Sequence, residues 1–93
     1  MRKYELVMVA RPDLDESALS EIVNKVTNWI SESGGQIEKV DQWGKRKLAY
    51  PINKQTEGLY VQVNLNIPPG FAPQLERNLR YLEPVMRFSI IQV

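Results

Sequence analysis

The clearest hydrophobic pattern in the sequence is a strict alternation in its second half. Aliphatic residues occupy every second position there: Leu59, Val61, Val63, Leu65 and Ile67. The positions between them carry one aromatic residue and three amides: Tyr60, Gln62, Asn64 and Asn66. A period of two predicts a β-strand with one face buried and the other open to solvent or to a partner.

Segments near the two ends of the chain are also predicted to be strands. Residues 4–10 are apolar after Glu5, as expected of a strand that lies inside a sheet and is covered on one face. Residues 85–93 are predicted to be the last strand. Alternation in this strand predicts two inward side chains, Phe88 and Ile90, and two outward ones, Arg87 and Ser89.

Residues 36–52 are predicted to be extended, but their pattern is irregular. Ile37 and Val40 are an odd number of positions apart, so they cannot share one face of a regular strand. A bulge is therefore expected, and Gly44 is a natural site for a second one. Residues 53–58 are predicted to form the turn that follows. Three alternating residues are assigned to packing: Leu48, Tyr50 and Ile52.

Spacings of three and four predict two amphipathic helices. The apolar stripe of the first helix comprises Leu19, Ile22, Val23, Val26, Trp29 and Ile30. Asp13 or Asp15 is the expected N-cap, and Gly34-Gly35 is the expected end. Pro73 suits the first turn of the second helix, which is expected to stop before Pro84. Its apolar residues are Leu75, Leu79 and Leu82.

The predicted elements follow the order βαββαβ. Two crossovers around a hairpin predict an α+β, ferredoxin-like fold, with a four-stranded antiparallel sheet and two helices on one face. The composition, with 43% hydrophobic and 25% charged residues in 93, is ordinary for a globular protein. A chain of this length fits a single domain, residues 1–93.

Charge is segregated along the chain, although the formal net charge is only +1. Residues 13–32 carry five acidic residues against one lysine, and residues 39–54 carry five basic residues against one aspartate. Two solvated faces of opposite sign would explain this segregation. A basic surface that faces phosphates would explain it equally well.

Several classes of chemistry lack the residues that they need. The sequence has no histidine for proton transfer near neutral pH, and no cysteine for disulfides or thiolate ligands. Helix capping explains the only acidic cluster, Asp13, Asp15 and Glu16, so neither a metal site nor any other cofactor is expected. No glycine-rich phosphate loop follows a strand, and no apolar run is long enough for a membrane span. We therefore expect a non-enzymatic protein of a reducing interior.

Basic residues interleaved with aromatics are the remaining candidate site. They are Arg2, Lys3, Tyr4, Trp43, Lys45, Arg46, Lys47, Lys54, Tyr60 and Arg87. Tyr4 and Trp43 fit a partly buried core equally well, and Lys45 and Lys47 could protect an exposed strand edge. The aromatic-rich pattern of an RNA recognition motif is not found on the first and third strands, which disfavours readout of splayed bases across the sheet.

The segment GKRKLAYPIN, residues 44–53, resembles the signature of the bacterial small-subunit ribosomal protein six family. The matching positions are Gly44, Arg46, Leu48, Ala49, Tyr50 and Ile52. The opening MRKYELVMVARPDLDE and the closing VMRFSIIQV are similar to the first and last strands of the same family. The resemblance therefore covers nearly the whole chain.

The resemblance implies a structural constituent of the small ribosomal subunit, located on the cytoplasmic ribosome. Such a protein would bind 16S ribosomal RNA together with small-subunit ribosomal protein eighteen, and would support platform assembly and translation. We expect phosphate neutralisation, with RNA shape rather than base identity determining the site. The predicted RNA contacts are Arg2, Lys3, Arg46, Lys47, Lys54 and Arg87, with Tyr4 and Tyr60 stacking or hydrogen bonding. Either the acidic helix segment or the open sheet face is expected to receive the partner.

Two other classes of function stay open on the sequence alone. A module that senses a small molecule would place a pocket at a dimer or domain interface, which a 93-residue chain without an effector domain makes less favourable. A protein-only scaffold would assemble through its sheet face or strand edge and would show no salt-dependent RNA binding.

Overall fold

A computed structural model describes the backbone of residues 1–52 and 55–93, and the side chains of residues 1–48 and 56–93. The elements follow the predicted order. They are β1 (Arg2–Ala10), α1 (Glu16–Glu32), β2 (Gln36–Ile52), β3 (Gln55–Ile67), a 3-10 turn (Pro69–Phe71), α2 (Ala72–Arg80) and β4 (Val85–Gln92).

The strands form one antiparallel sheet in the order β2-β3-β1-β4. β1 lies inside the sheet, as its apolar run predicted, whereas β2 and β4 are the two edges. Both helices pack against the same face. The predicted ferredoxin-like fold is therefore confirmed.

The hydrophobic core lies between that face and the helices. The sheet contributes alternate residues of its two central strands: Tyr4, Leu6, Met8, Val61, Val63, Leu65 and Ile67. The helices contribute Ile22, Val26, Ile30, Leu75 and Leu79. The strand residues of this cluster follow a period of two and the helix residues a period of 3.6, as the sequence predicts.

The ends of α1 explain how this helix is fixed over the sheet. Asp15 is its N-cap, and the Asp15 Oδ1 atom accepts a 2.8 Å hydrogen bond from the Ala18 N–H. At the other end, Gly34 N–H donates to Ser31 O and Gly35 N–H donates to Ile30 O, each at 3.0 Å. Gly34 has a φ of +85°, which a glycine adopts without steric cost. The predicted boundaries of α1 are confirmed.

The irregularities predicted for β2 are also confirmed. The pairing register with β3 shifts between Ile37 and Lys39, and again between Gln42 and Gly44. Gly44 has a φ of +81°. The first shift lets Ile37 and Val40 both pack against the core although an odd number of positions separates them.

Two predicted boundaries are wrong. β3 begins at Gln55, four residues before Leu59, so the predicted turn at residues 53–58 is too long. Polar residues resemble a turn in sequence, but a solvated hairpin can pair its backbone without burying them. α2 ends at Arg80, so Leu82 lies beyond the helix, although it still packs against the core.

Candidate nucleic-acid interface

The face of the sheet opposite the helices is the candidate site. Paired residues on neighbouring strands place their side chains on the same face, so the register defines rows that cross the sheet. Tyr60 pairs with Gly44 of β2 on one side and with Val9 of β1 on the other, and Val9 pairs with Arg87 of β4. One row of this open face thus crosses all four strands.

Trp43 and Tyr60 form an aromatic pair at one end of this row. Their ring centroids lie 5.9 Å apart and their planes differ by 6°, which is an offset stack. Trp43 is still 44% exposed. The stack therefore presents a large aromatic surface to solvent, beside the edge of the sheet.

Arg46 lies on the same face, since it pairs with Gly58 and residues 58 and 60 share one side of β3. Arg46 and Arg87 are both exposed. We define the aromatic–cationic end of the open face by these four residues: Trp43, Arg46, Tyr60 and Arg87. It combines two positive charges with two stacked rings.

At the opposite end of the open face, several charged side chains have local partners. Lys3 Nζ lies 3.9 Å from Glu38 Oε1, which also accepts a 2.7 Å hydrogen bond from Asn66 Nδ2. Towards the middle of the face, Lys39 Nζ lies 3.4 Å from Asp41 Oδ2, and Asp41 pairs with Gln62, one row from Tyr60. Internal pairing reduces the field that this end presents to an RNA phosphate.

The predicted RNA-binding residues fall into separate groups. Tyr60, Arg46 and Arg87 come together at the aromatic–cationic end, whereas Lys3 pairs with Asn66, six residues along β3 from Tyr60. At about 3.4 Å per residue, roughly 20 Å separates the two positions. Arg2 is next to Lys3 but pairs with Ile67, so it projects from the helix-covered side of β1, and its Nη1 donates a 3.4 Å hydrogen bond to Gln92 Oε1.

Three other predicted residues are placed differently. Tyr4 is 9% exposed and belongs to the core, so its ring does not fit the predicted stacking role. Lys47 is exposed but pairs with Glu57, so it projects from the opposite side of β2 to Arg46. Lys54 lies outside the described residues, as do the side chains of Tyr50 and Ile52. Leu48 is half-buried.

Trp43 lies at the aromatic–cationic end, although it is only a candidate in the sequence and not one of the predicted contacts. A partly buried core position explains a tryptophan there equally well. Its position immediately before Gly44, where a bulge is predicted, indicates that its side chain can leave the regular alternation of the strand, because bulges redirect side chains.

Other kinds of site have little support in the described part of the chain. No group of three or more acidic side chains there could hold a metal ion. Neither described helix has the length and hydrophobicity that crossing a bilayer requires. A cleft of about 300 Å³ lies between the end of α1 and the start of α2, lined by Trp29, Glu32, Ser33, Phe71, Gln74 and Asn78. This volume is at the lower end of the range for ligand pockets.

Comparison with known proteins supports one family. The family model described as ribosomal protein S6 matches residues 3–92. The small ribosomal subunit protein bS6 of Moorella thermoacetica is 44% identical over 93 residues, covering 100% of this chain and 95% of the relative. That of Caldanaerobacter subterraneus subsp. tengcongensis is 46% identical over 92 residues, covering 99% of this chain and 97% of the relative.

A solved structure gives the same result. The crystal structure of 30S ribosomal protein S6 from Thermotoga maritima matches with a TM-score of 0.93 and 29% identity, and covers 99% of this chain and 87% of that chain. These matches confirm the family that the sequence resembles. They also confirm the expected non-enzymatic role and the expected place in the small subunit. The chain belongs to the ribosomal protein S6 family and is a structural component of the small ribosomal subunit.

Proposed function

We propose that this chain binds 16S ribosomal RNA together with small-subunit protein eighteen, and that joint binding supports assembly of the platform. The observation that carries the proposal is the aromatic–cationic end, where exposed Arg46 and Arg87 share the open face with the Trp43–Tyr60 stack. Arginines neutralise phosphates and exposed rings stack on bases or sugars, which is the combination that RNA-binding surfaces use.

The charge of the protein supports joint rather than independent binding. A formal net charge of +1 gives little general attraction to a polyanion, so affinity depends on the few arginines that reach phosphates. A second RNA-binding protein that contacts this one adds its own contacts at a high effective concentration. Binding alone is therefore weak, and binding with the partner is strong.

We propose the opposite end of the open face for the partner protein. Its polar side chains are already paired, as in the 3.3 Å hydrogen bond that Gln62 Nε2 donates to Glu5 Oε1. Ile91 pairs with Glu5 and is 56% exposed. Apolar surface beside satisfied polar groups suits a protein interface better than a phosphate contact. The exposed acidic residues of the first half of α1 are the alternative surface for a basic partner.

The test is a salt titration of binding to a platform fragment of small-subunit ribosomal RNA, with and without protein eighteen. We compare the native chain with an Arg46→Ala/Arg87→Ala variant. Each arginine that contacts a phosphate contributes about one unit to the slope of log K against log salt. The double variant is expected to bind more weakly at low salt and to lose about two units of slope.

The matched control is Arg77→Ala/Arg80→Ala, which removes the same charge from exposed positions of α2. The control should keep the native slope, because α2 lies on the other side of the sheet. Equal losses in the two variants would show that net charge, and not the aromatic–cationic end, determines binding. Absence of partner-dependent RNA binding at every salt concentration would contradict the proposal and favour the protein-only scaffold.

A further inference from the structure

We propose that the outer face of the Trp43 indole is a stacking site for one unpaired base of the RNA. This inference rests on the proposed function and deepens it, since it adds a single-stranded nucleotide to the shape and phosphate recognition described above. It is carried by the geometry of the bulge in β2, by the stack and by Arg46 on the same strand and face.

The stack fixes the indole and leaves one of its faces available. Tyr60 covers one side of the ring in a nearly parallel arrangement, with 5.9 Å between centroids and 6° between planes. The indole nevertheless remains 44% exposed, which is unusual for the largest aromatic side chain. A ring held in place by a neighbour binds a second ring at lower entropic cost than a freely rotating one.

The bulge at Gln42–Gly44 brings Trp43 and Arg46 to the same face of the strand. Gln42 pairs with Val61 and Gly44 pairs with Tyr60, so Trp43 is the additional residue opposite Tyr60. In a regular strand, residues three positions apart point to opposite faces. The additional residue inverts the alternation beyond it, so that Arg46 pairs with Gly58 on the open face.

This inversion explains why the irregularity is needed at this point in the chain. Gly44 takes a φ of +81°, where a side chain would be strained, and nothing lies within 4 Å of the position that its Cβ would occupy. The backbone conformation is therefore chosen locally by glycine and not imposed by packing. Without the bulge, Arg46 would project from the same side as Leu59, away from the indole.

Between the rings and the arginines, the open face is closely packed. Gly58, opposite Arg46, has no side chain, and a Cβ placed there would clash with Val9 Cγ1. Val9 itself is buried at the centre of the row that joins Tyr60 to Arg87. Arg46, on the same strand and face as the indole, is placed to meet a phosphate of a nucleotide that stacks there, whereas Arg87 lies on β4, at the far edge of the sheet.

Charge favours nucleic acid over a protein segment as the occupant. Among the described residues of the two rows that contain Tyr60 and Gly58, the open face carries arginines and no acidic side chain. The carboxylate of the next row, Asp41, lies 3.4 Å from Lys39 Nζ, which offsets its charge. Glu57 pairs with Lys47 and lies on the other side of the hairpin. Stacking on aromatic rings tolerates any base, so the site selects for an unpaired nucleotide and not for a particular sequence.

The test uses Trp43 as its own reporter. The sequence contains two tryptophans, so a Trp29→Phe background leaves Trp43 as the single fluorophore. Base stacking is expected to quench its emission when the platform RNA fragment is added with protein eighteen. A fully paired RNA duplex of the same length should leave the emission nearly unchanged, because it offers no unstacked base.

Substitution at the same position separates stacking from phosphate binding. Trp43→Ala is expected to weaken binding of the platform fragment by about five-fold to a hundred-fold, the range for losing one stacked base. Its salt slope should stay native, since no charge is removed. Trp43→Phe should recover part of the affinity, and circular dichroism of both variants should match the native chain.

The outcomes distinguish this inference from the proposed function. Steep, partner-dependent RNA binding by the native chain with no loss in Trp43→Ala would overturn the stacking site and leave the proposed function standing. Weakened binding of protein eighteen in the absence of RNA would assign the indole to the protein partner and would also overturn it. A native chain that does not bind the fragment would contradict the proposed function itself.

Discussion

The two faces of the sheet differ although they are made by the same strands. In β3 the residues that face the helices, from Val61 to Ile67, are at most 1% exposed and all aliphatic. Their immediate neighbours on the open face, such as Gln62 and Asn64, are half-buried and polar. Adjacent residues thus belong to different environments, and a period of two separates them.

This contrast indicates that the covered face supplies stability and that the open face is available for binding. The helix-covered face removes large aliphatic side chains from water, which is the main source of folding free energy. The open face holds amides, ion pairs and aromatic rings whose polar atoms find partners at the surface. Hydrogen bonds and ion pairs of that kind contribute little net stability. Changes on the covered face should therefore alter folding, and changes on the open face should alter binding.

The largest expected effect comes from truncating the covered face. Leu65 is 1% exposed, and Leu65→Ala is expected to lower the free energy of unfolding by about 2 to 5 kcal/mol, from lost burial and from the cavity that remains. The neighbouring open-face substitution Asn64→Ala should cost less than about 1 kcal/mol, although Asn64 Oδ1 accepts a 3.2 Å hydrogen bond from Gln62 Nε2. Urea denaturation measures both values, and comparable losses would contradict this contrast between the two faces.

An intermediate effect is expected where α1 ends against β3. A Cβ on Gly35 would lie 2.5 Å from Asn66 O and 2.8 Å from Ile67 Cγ2, so a side chain there would push the helix end away from the sheet. Gly35→Ala is expected to cost about 1 to 3 kcal/mol, as overpacking does. Gly70→Ala is the matched control, with nothing within 4 Å of its Cβ position and a change of at most about 0.5 kcal/mol. Thermal unfolding measures both variants, and equal stability of the two would contradict the predicted clash at Gly35.

The sequence predicted the fold well because local signals agreed with each other. Alternation in residues 59–67, the helical stripe that contains Val26, the Asp15 cap and the Gly34-Gly35 end all have a short-range cause. The extent of β3 was underestimated because Gln55 to Glu57 are polar whether they are in a turn or in a solvated hairpin. Backbone pairing within the hairpin, of Ile52 with Gln55 and of Lys47 with Glu57, decides between the two, and side-chain polarity does not report that pairing.

The site was predicted only in part, because membership of a face depends on the exact position of a bulge. Tyr4 shares the parity of Leu6 and Met8, and that relation would have assigned it to the core. Parity with known core residues does not assign Arg46 and Lys47 to a face of the sheet. A shift of one residue at Gly44 exchanges the faces from which these two side chains project. The sequence predicts a bulge near Gly44 but does not predict the pairing register beyond it.

The smallest effect is expected from the ion pair at the opposite end of the open face. Lys3 and Glu38 are 65% and 39% exposed and their charged atoms are 3.9 Å apart, so water and salt screen them. Glu38→Gln removes the charge but retains an oxygen that can accept the hydrogen bond from Asn66 Nδ2, and should change the free energy of unfolding by less than about 0.5 kcal/mol.

Urea denaturation at low and high salt is the measurement, with Glu38→Ala as the variant that also loses the hydrogen bond. A loss above about 1 kcal/mol in Glu38→Gln that disappears at high salt would show that charge pairing on the open face stabilises the fold, and the separation of stability from binding would then fail at this end.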